Sequence, residues 1–235
     1  MMARGFLLLA ALLLPVVPAL AADGSTRTDA IDLSLLLAPP PAAGSPAALD
    51  DLQAVLAAQA ARTTAENEAA KADADRSMFR FADVLGPGLT ADALPRTDAF
   101  FKRVNKLDKV SVNAAKSFWH HPRPAEVSDQ VHPLSVEKPG DWSYPSGHAT
   151  FGYTTAVLLA NMLPEKRAAI FDRAVLYAHH RVVMGVHFPS DVEAGRIAGT
   201  VIAAQLLQDP LWHADFVAAR EELRKALALT PAVDR

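Results

Sequence analysis

The chain contains no cysteine, which excludes disulfide bridges and thiolate-held metals at the outset. It has no surplus of positive charge either. Lys and Arg number 23 against 26 Asp and Glu, a net charge of −3 with His neutral. A nucleic-acid or general polyanion binder would show a basic excess, so any positive field in this molecule is local. Beyond the N-terminus no segment offers the roughly 18 uninterrupted apolar residues that a membrane helix needs. Strand-like alternation, internal repeats and a clear domain linker are all lacking. What is present is a chain of 235 residues, 51% of them hydrophobic, enough to bury a well-formed core.

The N-terminus reads as an export signal. Arg4 lies in a short basic region, residues 6–19 are apolar, and Ala19-Leu20-Ala21 fits a small-x-small cleavage site. Residues 1–21 are therefore expected to be a signal peptide. Its removal would leave a periplasmic or secreted protein with no stable membrane insertion. Residues 22–46, with Pro39-Pro40-Pro41, Gly44 and Pro46, are expected to form an extended arm. Residues 47–235 are expected to form a single compact all-α domain of about six to nine helices.

Ala, Leu, Gln and Glu dominate from Ser45 to Met78, which predicts one long helix. Another is expected from Ala93 to Val104, with residues 105–118 continuing it until Pro122 and Pro124 enforce an extended loop. Later helices are expected from near Ser146 to Met162 and from Glu165 to Met184, with Gly185 at C′. Two more should run from an N-cap at Ser190 to Leu207 and from Ala214 to Leu229. Gly195-x-x-x-Gly199 permits close helix packing, in the core or between subunits, so a homo-oligomer is left open.

Three islands carry the chemistry. In Pro145-Ser146-Gly147-His148, Ser and Gly precede a helix whose first N–H groups and dipole favour an anion. Taken alone, the same four residues also suit an ordinary turn and cap. His187 and Asp191 are four apart across a loop and a helix start. A carboxylate on Nδ1–H would fix the tautomer and expose Nε2 as nucleophile or base. The bland alternative is a His packed on Phe188 and an Asp at a helix N-terminus. Arg123, stiffened between two prolines, suits bidentate recognition of phosphate. Lys116 and Arg181 would add charge; each also fits a solvated surface or a helix end. The adjacent pairs His120-His121 and His179-His180 point different ways on a regular element and make poor metal ligands.

The joint pattern is more specific than its parts. Lys116-x6-Arg123-Pro124, Pro145-Ser146-Gly147-His148 and Arg181-x5-His187-x3-Asp191 resemble the three-part signature of the type 2 phosphatidic acid phosphatase superfamily. Ser143–His148 and Ser190–Ala194 resemble its bacterial class A non-specific acid phosphatases in particular. Three positions depart: His180 replaces the signature Ser before Arg181, and Trp142 and Ala149 replace the usual Gly and Thr. The resemblance implies an all-α fold and a secreted, metal-independent acid phosphatase acting on small-molecule phosphate monoesters, with no cofactor and no nucleic-acid partner. It implies His187 as nucleophile, Asp191 as its support and His148 as proton donor. Lys116, Arg123, Arg181 and the N–H groups near Ser146 and Gly147 would hold phosphate oxygens. Two alternatives share these residues: a vanadium-dependent haloperoxidase, and a non-catalytic secreted helical protein that binds phosphate.

Overall fold

The stretch Gly147–Met162 is apolar on every side, and 13 of its 16 residues are buried. A helix with that pattern belongs in the middle of a bundle, and the others are arranged around it. The computed structural model describes residues 30–138 and 140–230. The expected signal peptide, residues 1–21, lies outside the described residues. In chain order the helices are α1 (Pro46–Ala61), α2 (Thr64–Ala72), α3 (Ala82–Leu85), α4 (Pro95–Trp119), α5 (Pro124–Val127), α6 (Gly147–Met162), α7 (Arg167–Val183), α8 (Pro189–Gln208) and α9 (Pro210–Ala226). Short 3₁₀ turns at Met78–Phe81 and Pro164–Lys166 lead into α3 and α7. No strand occurs among the described residues, as expected for an all-α domain.

Central α6 packs against α4, α7, α8 and α9. Its closest neighbour is α8, and two glycines make that approach possible. A Cβ on Gly195 would lie 2.7 Å from the Ser146 carbonyl oxygen, and one on Gly199 would lie 2.4 Å from that of Thr150. The small pair thus serves the core of this chain. The same approach lets the Ser146 N–H donate to the Asp191 carbonyl at 2.9 Å, so the starts of α6 and α8 are joined main chain to main chain. The apolar core includes Phe81, Leu94, Phe100, Val104, Leu158 and Ile170. Residues 30–45 form no helix. Leu33 and Leu37 of this arm are buried with Val112, Ala115 and Ala198.

Several boundaries differ from the sequence expectation for local reasons. The single helix expected over Ser45–Met78 breaks at Arg62, which is extended, with φ −61° and ψ 129°. Its guanidinium is drawn to the Val183 and His132 carbonyls at 3.0 and 2.9 Å. Thr63 then caps α2 by accepting from the Glu66 N–H at 3.2 Å. Ser190 is not the cap of α8. Phe188 occupies that position with Pro189 at N1, and Asp191 reaches back to the Phe188 N–H. The last helix starts earlier than expected, at Pro210, because the Asp209 side chain accepts from the Leu211 N–H. The end of α7 follows expectation. Gly185 has φ +70°, its N–H donates to Val182 O, and the Val186 N–H donates to Arg181 O. That Schellman pattern reverses the chain and delivers His187 back toward α6.

Candidate active site

The ends of three long helices, α4, α6 and α7, and the start of short α5 meet at a cleft of about 460 Å³. Lys116 enters from the last turn of α4, and Arg123 from the cap of α5. Gly147 and His148 come from the first turn of α6, and Arg181 from the last turn of α7. All of them, with His187, line this one cleft. Positions 71 apart in sequence thus converge because each island sits at a helix end.

His187 is 1% exposed, and its neighbours fix its tautomer. Nε2 lies 3.3 Å from Arg123 Nη1. A guanidinium only donates, so Nε2 accepts and the proton sits on Nδ1. Nδ1 lies 3.3 Å from Asp191 Oδ2. The same carboxylate oxygen accepts from Ser143 Oγ at 2.6 Å and from the Phe188 N–H at 2.8 Å. Burial pushes the Asp191 carboxyl up to about 7, opposed by those two donors. Burial, then the charges of Arg123, Lys116 and Arg181, push His187 well below the usual imidazole range. The resting ring is neutral, with its Nε2 lone pair facing cations.

The three expected cations are buried, not solvated. Lys116 Nζ pairs with Asp141 Oδ1 at 2.9 Å and donates to the Trp142 carbonyl. Arg123 Nε donates to Asp141 O and Nη1 to Val186 O, both at 2.7 Å, and Nη2 is 3.1 Å from Asp141 Oδ2. Arg181 Nη2 is 3.4 Å from Glu137 Oε1, while its buried Nε has no hydrogen-bond partner among the described residues. Burial lowers Lys116 to about 8 and Arg181 to about 10, so both are charged below neutrality. Two loop carboxylates, Glu137 and Asp141, therefore rest where an anionic ligand would bind. Neither was singled out by the sequence.

His148 faces this cradle from α6. Its Nε2 is 2.9 Å from the Ala74 carbonyl, which only accepts, so Nε2 carries the proton. Its Nδ1 lies 3.5 Å from Arg76 Nη2. Burial, then Arg181 and Arg76, lower the imidazole well below its usual range. Arg76 is a third guanidinium at the site, one that the sequence did not flag. A Cβ on Gly147 would sit 2.8 Å from its Nη2, so Gly147 makes room for a side chain as well as for a ligand. Ser146 departs from expectation. Its N–H is taken by Asp191 O, and its hydroxyl accepts from the Ala149 N–H. The Gly147 N–H is the amide of that pair left for an anion.

The departure at His180 has a structural partner. His180 Nδ1 lies 2.7 Å from Oδ2 of buried Asp73, whose Oδ1 accepts from Arg173 Nη2 at 2.6 Å and Arg80 Nε at 2.8 Å. The next residues form the wall beside His148: the Ala74 carbonyl, the Asp75 carbonyl, which accepts from Tyr177 Oη at 2.9 Å, and Arg76. The larger side chain at 180 thus anchors that wall and leaves the Arg181 head group alone. His179 is exposed while His180 is buried, so the pair does divide. Among the described residues no three His, Asp or Glu side chains are grouped as metal ligands. Trp142 lines the cleft edge-on to His120, with centroids 5.0 Å apart.

Known proteins resemble this chain in sequence and in fold. Residues 106–214 match the PAP2 superfamily. The chain is 33% identical to an acid phosphatase of Zymomonas mobilis over 204 residues, covering 83% of this chain and 76% of that one. It is 28% identical to a non-specific acid phosphatase of Salmonella typhimurium over 207 residues, covering 83% and 81%. A crystal structure of a transmembrane PAP2-type phosphatidylglycerolphosphate phosphatase from Bacillus subtilis shares the fold. Its TM-score is 0.52 at 20% identity, over 69% of this chain and 85% of that one. Among the described residues of the present chain no helix is long and apolar enough to cross a membrane. With relatives aligned over most of its length and its three islands gathered in one cleft, the chain belongs to the PAP2 superfamily and is a phosphatase.

Proposed function

We propose that this phosphatase is exported to the periplasm or beyond and hydrolyses small phosphate monoesters at acid pH, without a metal, through a phosphohistidine on His187. The observation that carries this reading is the set of His187: Nδ1–H toward Asp191, Nε2 lone pair toward Arg123 and the cationic cleft. In the first step Nε2 attacks phosphorus as the bond to the leaving oxygen breaks. The leaving oxygen takes a proton from Nδ1 of protonated His148, whose Nε2–H stays on the Ala74 carbonyl. Asp191 supports the positive phospho-imidazole through Nδ1–H. In the second step neutral His148 Nδ1 takes a proton from water, the water oxygen bonds to phosphorus, and the P–N bond breaks. Inorganic phosphate leaves and both rings return to their starting states.

Lys116, Arg123, Arg181 and the Gly147 N–H would hold the non-bridging oxygens, replacing Asp141 and Glu137. Phosphoryl transfer asks mainly for this positioning and charge stabilisation; here fixed cations would do what a metal does elsewhere. The buried, unpartnered Arg181 Nε is one donor that a phosphate oxygen would satisfy. The acid dependence follows from His148. Its lowered affinity for protons in the empty site means kcat/KM should fall as pH rises through the acid range. The test is turnover of a chromogenic monoester with excess chelator, wild type against His187→Ala. Full wild-type activity in chelator and near-complete loss in the variant are expected; chelator inhibition would refute the metal-free mechanism.

A further inference from the structure

Charge in the cleft exceeds what one phosphate monoester needs. Six lining residues are cationic and two, Glu137 and Asp141, are acidic, a net +4. A bound phosphate, as monoanion or dianion, would leave positive charge over. Their positions are informative. The three cradle cations each face a loop carboxylate. Arg76, Lys109 and, on the loop, Lys138 also line the cleft, yet no carboxylate lies within ion-pair distance of any of the three among the described residues.

Arg76 lies on the side of the departing group. Its guanidinium meets His148, the proposed donor to the leaving oxygen, and not His187. Lys109 and Asn113 precede Lys116 by seven and three residues on α4, so they follow the same helix face outward from the cradle. Both are exposed. The carboxyl that faces Arg76 from within the protein is Asp108, which burial pushes up to about 7. Its contact with Thr154 agrees. Thr154 Oγ1 is 2.9 Å from both Asp108 Oδ1 and the Thr150 carbonyl. A hydroxyl has one proton to give, and a protonated Asp108 would supply the second. At acid pH the charge of Arg76 therefore goes uncompensated from behind.

We propose that Arg76, Lys109 and Asn113 form a second anion subsite, and that the preferred substrates are phosphate esters whose leaving group carries a second phosphate. This rests on the phosphatase reading above, with His148 on the leaving-group side. The scissile phosphate would occupy Lys116, Arg123 and Arg181, while the second phosphate bridges Arg76 and Lys109 and takes a hydrogen bond from the Asn113 amide.

The test compares propyl phosphate with 3-phosphonopropyl phosphate, which has the same single ester plus a non-hydrolysable phosphonate anion. In wild type at low salt, kcat/KM for the second should exceed that for the first by about tenfold or more, the value of one charge-assisted contact. High salt should shrink the ratio. Arg76→Met should bring it close to unity, Lys109→Met should lower it, and Arg76→Lys should keep part of it. The ratio within each variant cancels any general damage to His148 or to the fold. Equal rates on the two esters in wild type, or a ratio unmoved in both Met variants, would overturn the subsite while leaving the phosphatase intact. Hydrolysis of neither ester would overturn both readings.

Discussion

Asp73→Ala offers a sharp test of the wall beside His148. The Asp73 carboxylate is fully buried and holds three donors: Arg80, Arg173 and His180. Deleting it strands charge unequally. Arg80 is 33% exposed along its side chain and can turn to water at little cost. Arg173 is 5% exposed and keeps a single carboxylate, Asp83, at 2.8 Å. Breaking a buried pair by removing one partner costs about 3–5 kcal/mol; the surviving Asp83 contact places this site at the low end, about 3 kcal/mol. Urea unfolding followed by tryptophan fluorescence reads the change. With a slope of about 3 kcal/mol per M, the midpoint should fall by about 1 M.

A pH series adds an independent arm. Its hydrogen bonds to His180, Arg173 and Arg80 outweigh burial and hold the Asp73 carboxyl down at about 2. A lowered folded-state pKa means the stabilisation is complete above the unfolded value near 4 and is lost as pH falls through 2. About 2 kcal/mol, after allowance for solvent screening, should therefore vanish from the difference between wild type and Asp73→Asn over that window. A midpoint shift in Asp73→Ala equivalent to less than about 1 kcal/mol would refute the reasoning. It would mean that the wall stands without its anchor.

Two further outcomes follow from the geometry. Lys116 carries its charge below about 8, so KM for a monoester should rise as pH climbs through that value. Loss of one charged contact is worth about ten- to a hundredfold in KM, and Lys116→Arg should move the rise to higher pH. Gly199→Ala would force a methyl against the Thr150 carbonyl at 2.4 Å. It should cost about 1–3 kcal/mol in a denaturation curve and lower kcat as well; an unchanged kcat would mean that the α6–α8 spacing does not set the site.

The islands were legible because each joins a helix terminus to residues of fixed chemistry. Lys116, Arg123, His148, Arg181 and His187 all face one cleft. The helices around them were legible from composition and from prolines. What escaped was set by tertiary contact. Arg62 breaks a helix-forming stretch because its guanidinium finds carbonyls about 70 and 121 residues away. The signal that could have found the break is Thr63 three positions before Glu66, a helix-start pair. Ser190 looked like a cap, but Pro189 just before it already marks N1. Arg76 left no local trace at all. Nothing in its neighbourhood announces a position beside a histidine 72 residues on. His180 looked like a flaw because its partner, Asp73, is 107 residues away.

The main-chain bond between Ser146 and Asp191 bears on how such a molecule can diverge. His148, His187 and Asp191 sit at or just before the starts of two helices, α6 and α8, gauged against each other by backbone atoms and two glycines. The walls of the cleft come from elsewhere: Arg76, the α4 residues Lys109 and Asn113, and the loop residues Glu137, Lys138, Asp141 and Trp142. Those walls can be recut in length and charge without disturbing the gauge. A change of diet, from a bare ester to a doubly charged one, then needs a few surface exchanges and leaves the chemistry inherited whole.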